Sequence, residues 1–124
     1  MTIYRTPLPR PEPRVGRLAA GVLLLVILEL TAATALIHLS LGGTLFTLNG
    51  LGYLGLGAAY LASAVLPLPV VRRLRWLPRM GLAAYAAITI VAYLLMGPYI
   101  TLGWIAKSVE LAIVGLVAVH LIVD

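Results

Sequence analysis

Three ionisable side chains lie inside apolar runs and have the most capacity for chemistry in this chain. They are Glu29 within VLLLVILELTAATAL, and Lys107 and Glu110 within GWIAKSVELAIVGLVAVHLIVD. An ionised group at mid-bilayer is costly and normally faces other helices or a polar cavity, so each marks an inward position. At a rise of about 1.5 Å per residue, Glu29 and Glu110 both fall about 16 Å from the cytoplasmic and outer helix ends, respectively, near mid-bilayer. Lys107 stands one turn further out, on the same face as Glu110 by its i, i+3 spacing. If the first and last apolar segments touch, two carboxylates and one ammonium form an intramembrane charge cluster.

With all three ionised, that cluster holds one negative charge in excess, and a low-dielectric interior favours keeping one carboxyl protonated. Three readings follow. The groups form a proton- or cation-coupled site. Alternatively, Glu29 and Lys107 form an interhelical staple beside a protonated or hydrogen-bonded Glu110. In the third reading, one group pairs with a neighbouring subunit.

On the first segment, Thr31, Thr34 and His38 share one face, while Glu29, Ala32, Ala33 and Leu36 share another about 160–200° away. Small residues around Glu29 point to close helix contact there, which favours the staple. His38 and His120 are candidate axial ligands for a haem or chlorophyll, since imidazole is the usual ligand. They are expected about 25 Å apart in depth and so cannot share one metal within a chain. For each, an interfacial hydrogen-bonding residue is the favoured reading. No His-x-x-His or acidic cluster points to a metal site. The sequence also lacks the hydrolase, phosphate-loop and zinc-protease signatures, so no catalytic residue is assigned and enzyme activity is not expected.

The segments that position these groups follow from composition. At 62% hydrophobic and 10% charged residues, the chain is too apolar for a soluble domain. The 124 residues accommodate four spans of about 20 residues. With no cysteine, disulfides and thiolate chemistry are excluded.

The net charge of +5 has a clustered origin. Arg5, Arg10, Arg14 and Arg17 lie at the N-terminus, and Arg72, Arg73, Arg75 and Arg79 lie in one loop. This is the positive-inside pattern rather than a nucleic-acid surface. It places the N-terminus, the arginine loop and the C-terminus in the cytoplasm. The basic residues Arg10, Arg14, Arg17, Arg72, Arg73, Arg75 and Arg79 are then expected to meet anionic lipid headgroups or a partner.

The expected fold is an all-α, four-helix transmembrane bundle with both termini cytoplasmic, in a multi-pass protein of a bacterial inner membrane. Residues 1–14 form a basic arm with proline at 7, 9, 11 and 13, stiff and near polyproline II. Residues 15–124 form the membrane domain, with spans at about 15–39, 47–66, 79–96 and 99–123. Gly42-Gly43, Pro67 with Pro69, and Gly97-Pro98 separate them. In the second span Gly52, Gly55, Ala59 and Ser63 form a small-residue face suited to close helix packing, with Tyr53 and Tyr60 as a second stripe.

Four spans in so short a chain, with Glu29 midway along the first within LELTAATAL, resemble the small multidrug resistance transporters in layout. The likeness stops there: the strong charge bias, Lys107 in the last span and the proline-rich arm depart from that family's pattern. The resemblance implies a small cation-coupled transporter with Glu29 at its site; the buried charges themselves give the alternative of a small proton- or cation-coupled transporter or channel using Glu29, Glu110 and Lys107. The expected function from the residues themselves is a non-enzymatic accessory subunit, bound to other membrane subunits or to itself. A haem- or chlorophyll-binding subunit is the third possibility.

Overall fold

The computed structural model describes residues 14–124, with side chains from residue 16 onward. The proline-rich arm, Arg10 and the Arg14 side chain lie outside the described residues. The helices are α1 (Arg14–Leu41), α2 (Thr44–Val65), α3 (Pro69–Arg73), α4 (Trp76–Met96) and α5 (Thr101–Val123). Among the described residues, α1, α2, α4 and α5 are each long and apolar enough to cross a membrane, with 26, 22, 21 and 23 qualifying residues. At 1.5 Å per residue the shortest reaches about 30 Å, the thickness of a bilayer's hydrocarbon core.

The breaks match the residues that cannot continue a helix. Gly42 and Gly43 adopt φ of 71° and 84°, a left-handed conformation open to glycine, and together make the whole turn between α1 and α2. This connection is shorter than the gap expected between the spans at 15–39 and 47–66. α1 continues to Leu41, and α2 starts at Thr44 with Thr47 N–H bonded to the Gly43 carbonyl. Proline closes α2 and sits in the first turn of both α3 and α4, where its missing N–H costs nothing. The short α3 within the arginine loop has no sequence counterpart in the four-span reading.

The four long helices pack as a ring in the order α1–α2–α4–α5, with α5 closing back on α1. Neighbours run antiparallel. Along α1 and α2, Thr31 approaches Gly57 while Leu39 approaches Gly50, and along α4 and α5, Tyr93 approaches Gly103 while Arg79 meets Asp124. The core contains Ile27, Ala35, Tyr53, Tyr60, Leu82, Ala86, Ile113 and Val117. Outward faces are apolar, as with Leu25, Leu95 and Ile122. Lipid tails are as apolar as leucine, so no hydrophobic force pulls such residues inward, and small residues and polar contacts define the interior.

The small-residue face of α2 is rotated from its expected position. Gly55 and Ala59 are exposed, Ser63 is buried, and Gly52 lies at the edge, against the Tyr85 hydroxyl of α4. The residues facing the bundle are Gly50, Tyr53, Gly57 and Tyr60. The two tyrosines decide the rotation, because each hydroxyl needs a buried partner that lipid cannot supply. Gly50 and Gly57 then make room for α1: a Cβ on Gly50 would lie 2.8 Å from Leu39 Cγ and 3.0 Å from the Ala35 carbonyl oxygen.

Gly50→Ala is therefore expected to lower stability by about 1–3 kcal/mol through overpacking. Gly55→Ala, with nothing within 4 Å of the added Cβ, is expected to be neutral. Thermal unfolding in detergent followed by circular dichroism distinguishes the two positions, and equal losses would contradict this packing.

Candidate functional site

The inward face of α1 carries Thr31, Thr34 and His38, all buried. Thr31 and His38 each bond to a carbonyl of their own helix. Thr31 Oγ1 donates to the Ile27 carbonyl at 2.7 Å. His38 Nδ1 lies 2.7 Å from the Thr34 carbonyl oxygen. A carbonyl only accepts, so Nδ1 carries the proton and Nε2 is left to face across the bundle.

Nε2 faces Glu110 of α5. Oε1 of Glu110 accepts from the Thr34 hydroxyl at 3.1 Å and lies 3.6 Å from His38 Nε2. Oε2 accepts from Lys107 Nζ at 2.8 Å. The Glu110 side chain has 0% exposure and that of Lys107 10%, so the ion pair is nearly sealed. Lys107 Nζ also lies 5.4 Å from the Tyr93 ring centroid, a cation–π distance. Lys107 and Glu110 cancel in charge. A proton on either Glu110 or His38 Nε2 makes their contact attractive; without one, a nitrogen lone pair faces a carboxylate oxygen.

Beside this cluster, Tyr53 of α2 meets Thr89 of α4 at 2.8 Å. The Thr89 hydroxyl donates to the Ala86 carbonyl, so Tyr53 is the donor between them. Aromatic rings surround His38, with Tyr53 at 5.5 Å and Phe46 at 6.3 Å between centroids. This polar centre lies in the half of the bundle that ends at the two glycine turns.

A second polar centre occupies the arginine-loop end. Tyr60 and His120 share a 2.5 Å hydrogen bond, and the Arg79 guanidinium sits 5.9 Å from the Tyr60 ring centroid. Arg79 pairs with Asp124, which Arg75 also approaches at 3.8 Å. The hydrogen bond from Arg79 holds the Asp124 carboxyl below its ordinary pKa. The stability from this pair is thus fully present above the ordinary carboxylate pKa and is lost as pH falls below it through the depressed folded value. Arg79, at 5% exposure, is an internal clasp rather than a lipid- or partner-facing residue. Arg17, Arg72, Arg73 and Arg75 remain exposed.

The expected three-membered charge cluster is not assembled within the chain. α1 does touch α5, and Lys107 pairs with Glu110, but Glu29 is exposed on the far side of α1. The residues that reach Glu110 from α1 are Thr34 and His38. The physical reason is that α1 has one face rich in hydrogen-bonding groups. Turning it inward brings Thr34 and the second nitrogen of His38 to Glu110, whereas turning Glu29 inward would leave Thr31, Thr34 and His38 facing lipid. The staple between Glu29 and Lys107, and a carrier pair of Glu29 with Glu110, therefore do not form in a single chain.

Both histidines are buried within the bundle, His38 at 2% exposure and His120 at 3%, and each is hydrogen-bonded. His38 has one ring nitrogen on a carbonyl and the other directed at Glu110, so axial ligation would require breaking that arrangement. Sequence reasoning named Thr34, Arg79, Tyr53 and Tyr60 but did not find their partners Glu110, Asp124, Thr89 and His120. The available signals were the Thr31, Thr34 and His38 periodicity and the seven-residue spacing of Tyr53 and Tyr60.

Lys107→Met removes the counter-ion of a buried carboxylate and is expected to cost about 3 kcal/mol. The Lys107→Met, Glu110→Leu double variant is expected to recover part of that loss in the same unfolding assay. A double variant less stable than Lys107→Met would contradict an uncompensated Glu110 as the cause. Compared with known protein families, curated proteins and solved structures, the chain shows no match.

Proposed function

We propose that this protein is a non-enzymatic accessory subunit of a larger membrane assembly, docked through the exposed face of α1. The observation that carries this reading is Glu29. It lies midway along α1, is exposed, and has no hydrogen bond or ion pair with any described residue. A charged side chain at the centre of a membrane helix costs about 2.5–3.5 kcal/mol on insertion scales. A partner helix with a donor at that depth relieves this cost.

The surroundings suit such a helix. Val22, Leu25, Val26 and Leu36 flank Glu29 along the exposed face, and Ala32 permits close approach one turn away. A second copy joined about a two-fold axis through this face would oppose Glu29 with Glu29. Like charges meeting in a low-dielectric setting favour a partner of different sequence that carries a basic or amide side chain. The arginine clusters orient the chain with its termini in the cytoplasm under the positive-inside rule. Lys107 and Glu110 satisfy each other internally, so they serve the fold of the subunit rather than its docking.

Native mass spectrometry of protein released gently from its own membranes tests this reading. A complex of defined stoichiometry is expected, and Glu29→Leu should weaken it about 3- to 20-fold, the range for interhelical polar contacts. Helicity and thermal stability of the isolated chain should be unchanged. A wild-type chain recovered alone or as a homodimer, or a complex indifferent to Glu29→Leu, would overturn it.

A further inference from the structure

A pocket of about 340 Å³ opens between α2 and α4 in the half of the bundle that holds Glu110. That volume is at the lower end of the range for small-molecule sites. Leu45, Leu48, Ile88 and Met96 line it and are themselves 61–73% exposed on the outer surface, so its mouth faces the bilayer laterally. His38, Asn49 and Lys107 are among its polar lining residues. The pocket lies away from the exposed face of α1, because α4 neighbours α2 and α5 in the ring.

The hydrogen-bonding capacity left in this pocket is specific. Tyr85 donates to the Asn49 carbonyl, Tyr93 to the Ile100 carbonyl, and Thr89 to the Ala86 carbonyl. His38 Nδ1 is committed to Thr34. The Asn49 side-chain amide has no hydrogen bond with any described residue. Lys107 has one bond, to Glu110, out of the three its ammonium can donate. The open groups are therefore chiefly donors.

The charge balance narrows the ligand further. Glu110 at 2.8 Å neutralises Lys107, so the pair leaves little net attraction for either an anion or a cation. We propose that the pocket binds a neutral, lipid-soluble carbonyl compound of the quinone type. Its ring lies among Phe46, Tyr85 and Tyr93, and its oxygens accept hydrogen bonds from Lys107 and Asn49. Aromatic walls suit a flat conjugated ring, and the lateral mouth suits a molecule that arrives dissolved in lipid.

The test uses the full chain in lipid nanodiscs, titrated with a short-chain benzoquinone. Trp104 packs against Tyr93 at 5.1 Å between ring centroids, so its fluorescence reports on the site. The Trp76→Phe background removes the other tryptophan. Saturable quenching is expected, with affinity reduced at least tenfold by Asn49→Leu and abolished by Ile88→Phe, which fills the mouth without adding a tryptophan. These two variants leave the Lys107–Glu110 pair intact, so their effect is separable from misfolding, and thermal unfolding checks that they fold. Strictly linear quenching, or full affinity in both variants, would overturn the proposal. So would equal competition by an alkylbenzene lacking carbonyls, or stronger competition by a fatty acid anion.

Discussion

The structure depends on keeping one carboxylate, Glu110, out of water and out of lipid. Its side chain is fully buried, and the groups around it come from two helices distant in sequence. Thr34 and His38 reach it from α1, and Lys107 from one turn earlier on α5. In hydrocarbon, any of these groups left alone would cost several kcal/mol. That penalty fixes the rotation of α1 and its closure against α5 more firmly than apolar packing can, because every apolar face is equally content against lipid.

The remaining contacts are organised around that closure. The glycines of α2 admit α1 closely at Gly50 and Gly57, and Tyr53 and Tyr60 place their hydroxyls on Thr89 and His120. The bundle is thus held by a polar centre in each half: one about Glu110, the other about His120, Arg79 and Asp124. The first borders a pocket open to the bilayer, and the second closes the arginine-loop end. Glu29 stands apart from both, on the surface of a helix whose Thr31, Thr34 and His38 turn the other way.

Much of this architecture was legible in the sequence. Four apolar segments, the Gly42-Gly43 turn and the proline stops gave the helices, and the i, i+3 spacing of Lys107 and Glu110 gave their pairing. The rotation of α1 was not legible from Glu29 alone. An acid in an apolar run points inward by default, but three weaker polar groups on the opposite face outweigh one carboxylate once each must be hydrogen-bonded. The small-residue stripe of α2 misled for a related reason. Gly55 and Ala59 permit close packing without requiring it, whereas a tyrosine hydroxyl in a membrane requires a partner. The partners themselves lie 36 to 76 residues away in sequence, beyond the reach of any local pattern.

Nitrogen-15 NMR of the histidine side chains in lipid bilayers tests the arrangement at Glu110 most directly, with His38→Gln used to assign the signals. The expected His38 ring carries its proton on Nδ1, held by the Thr34 carbonyl, and its Nε2 signal moves when Glu110 is replaced by glutamine. A ring with a bare Nδ1 and a protonated Nε2, indifferent to Glu110→Gln, would contradict the closure of α1 on α5 described here.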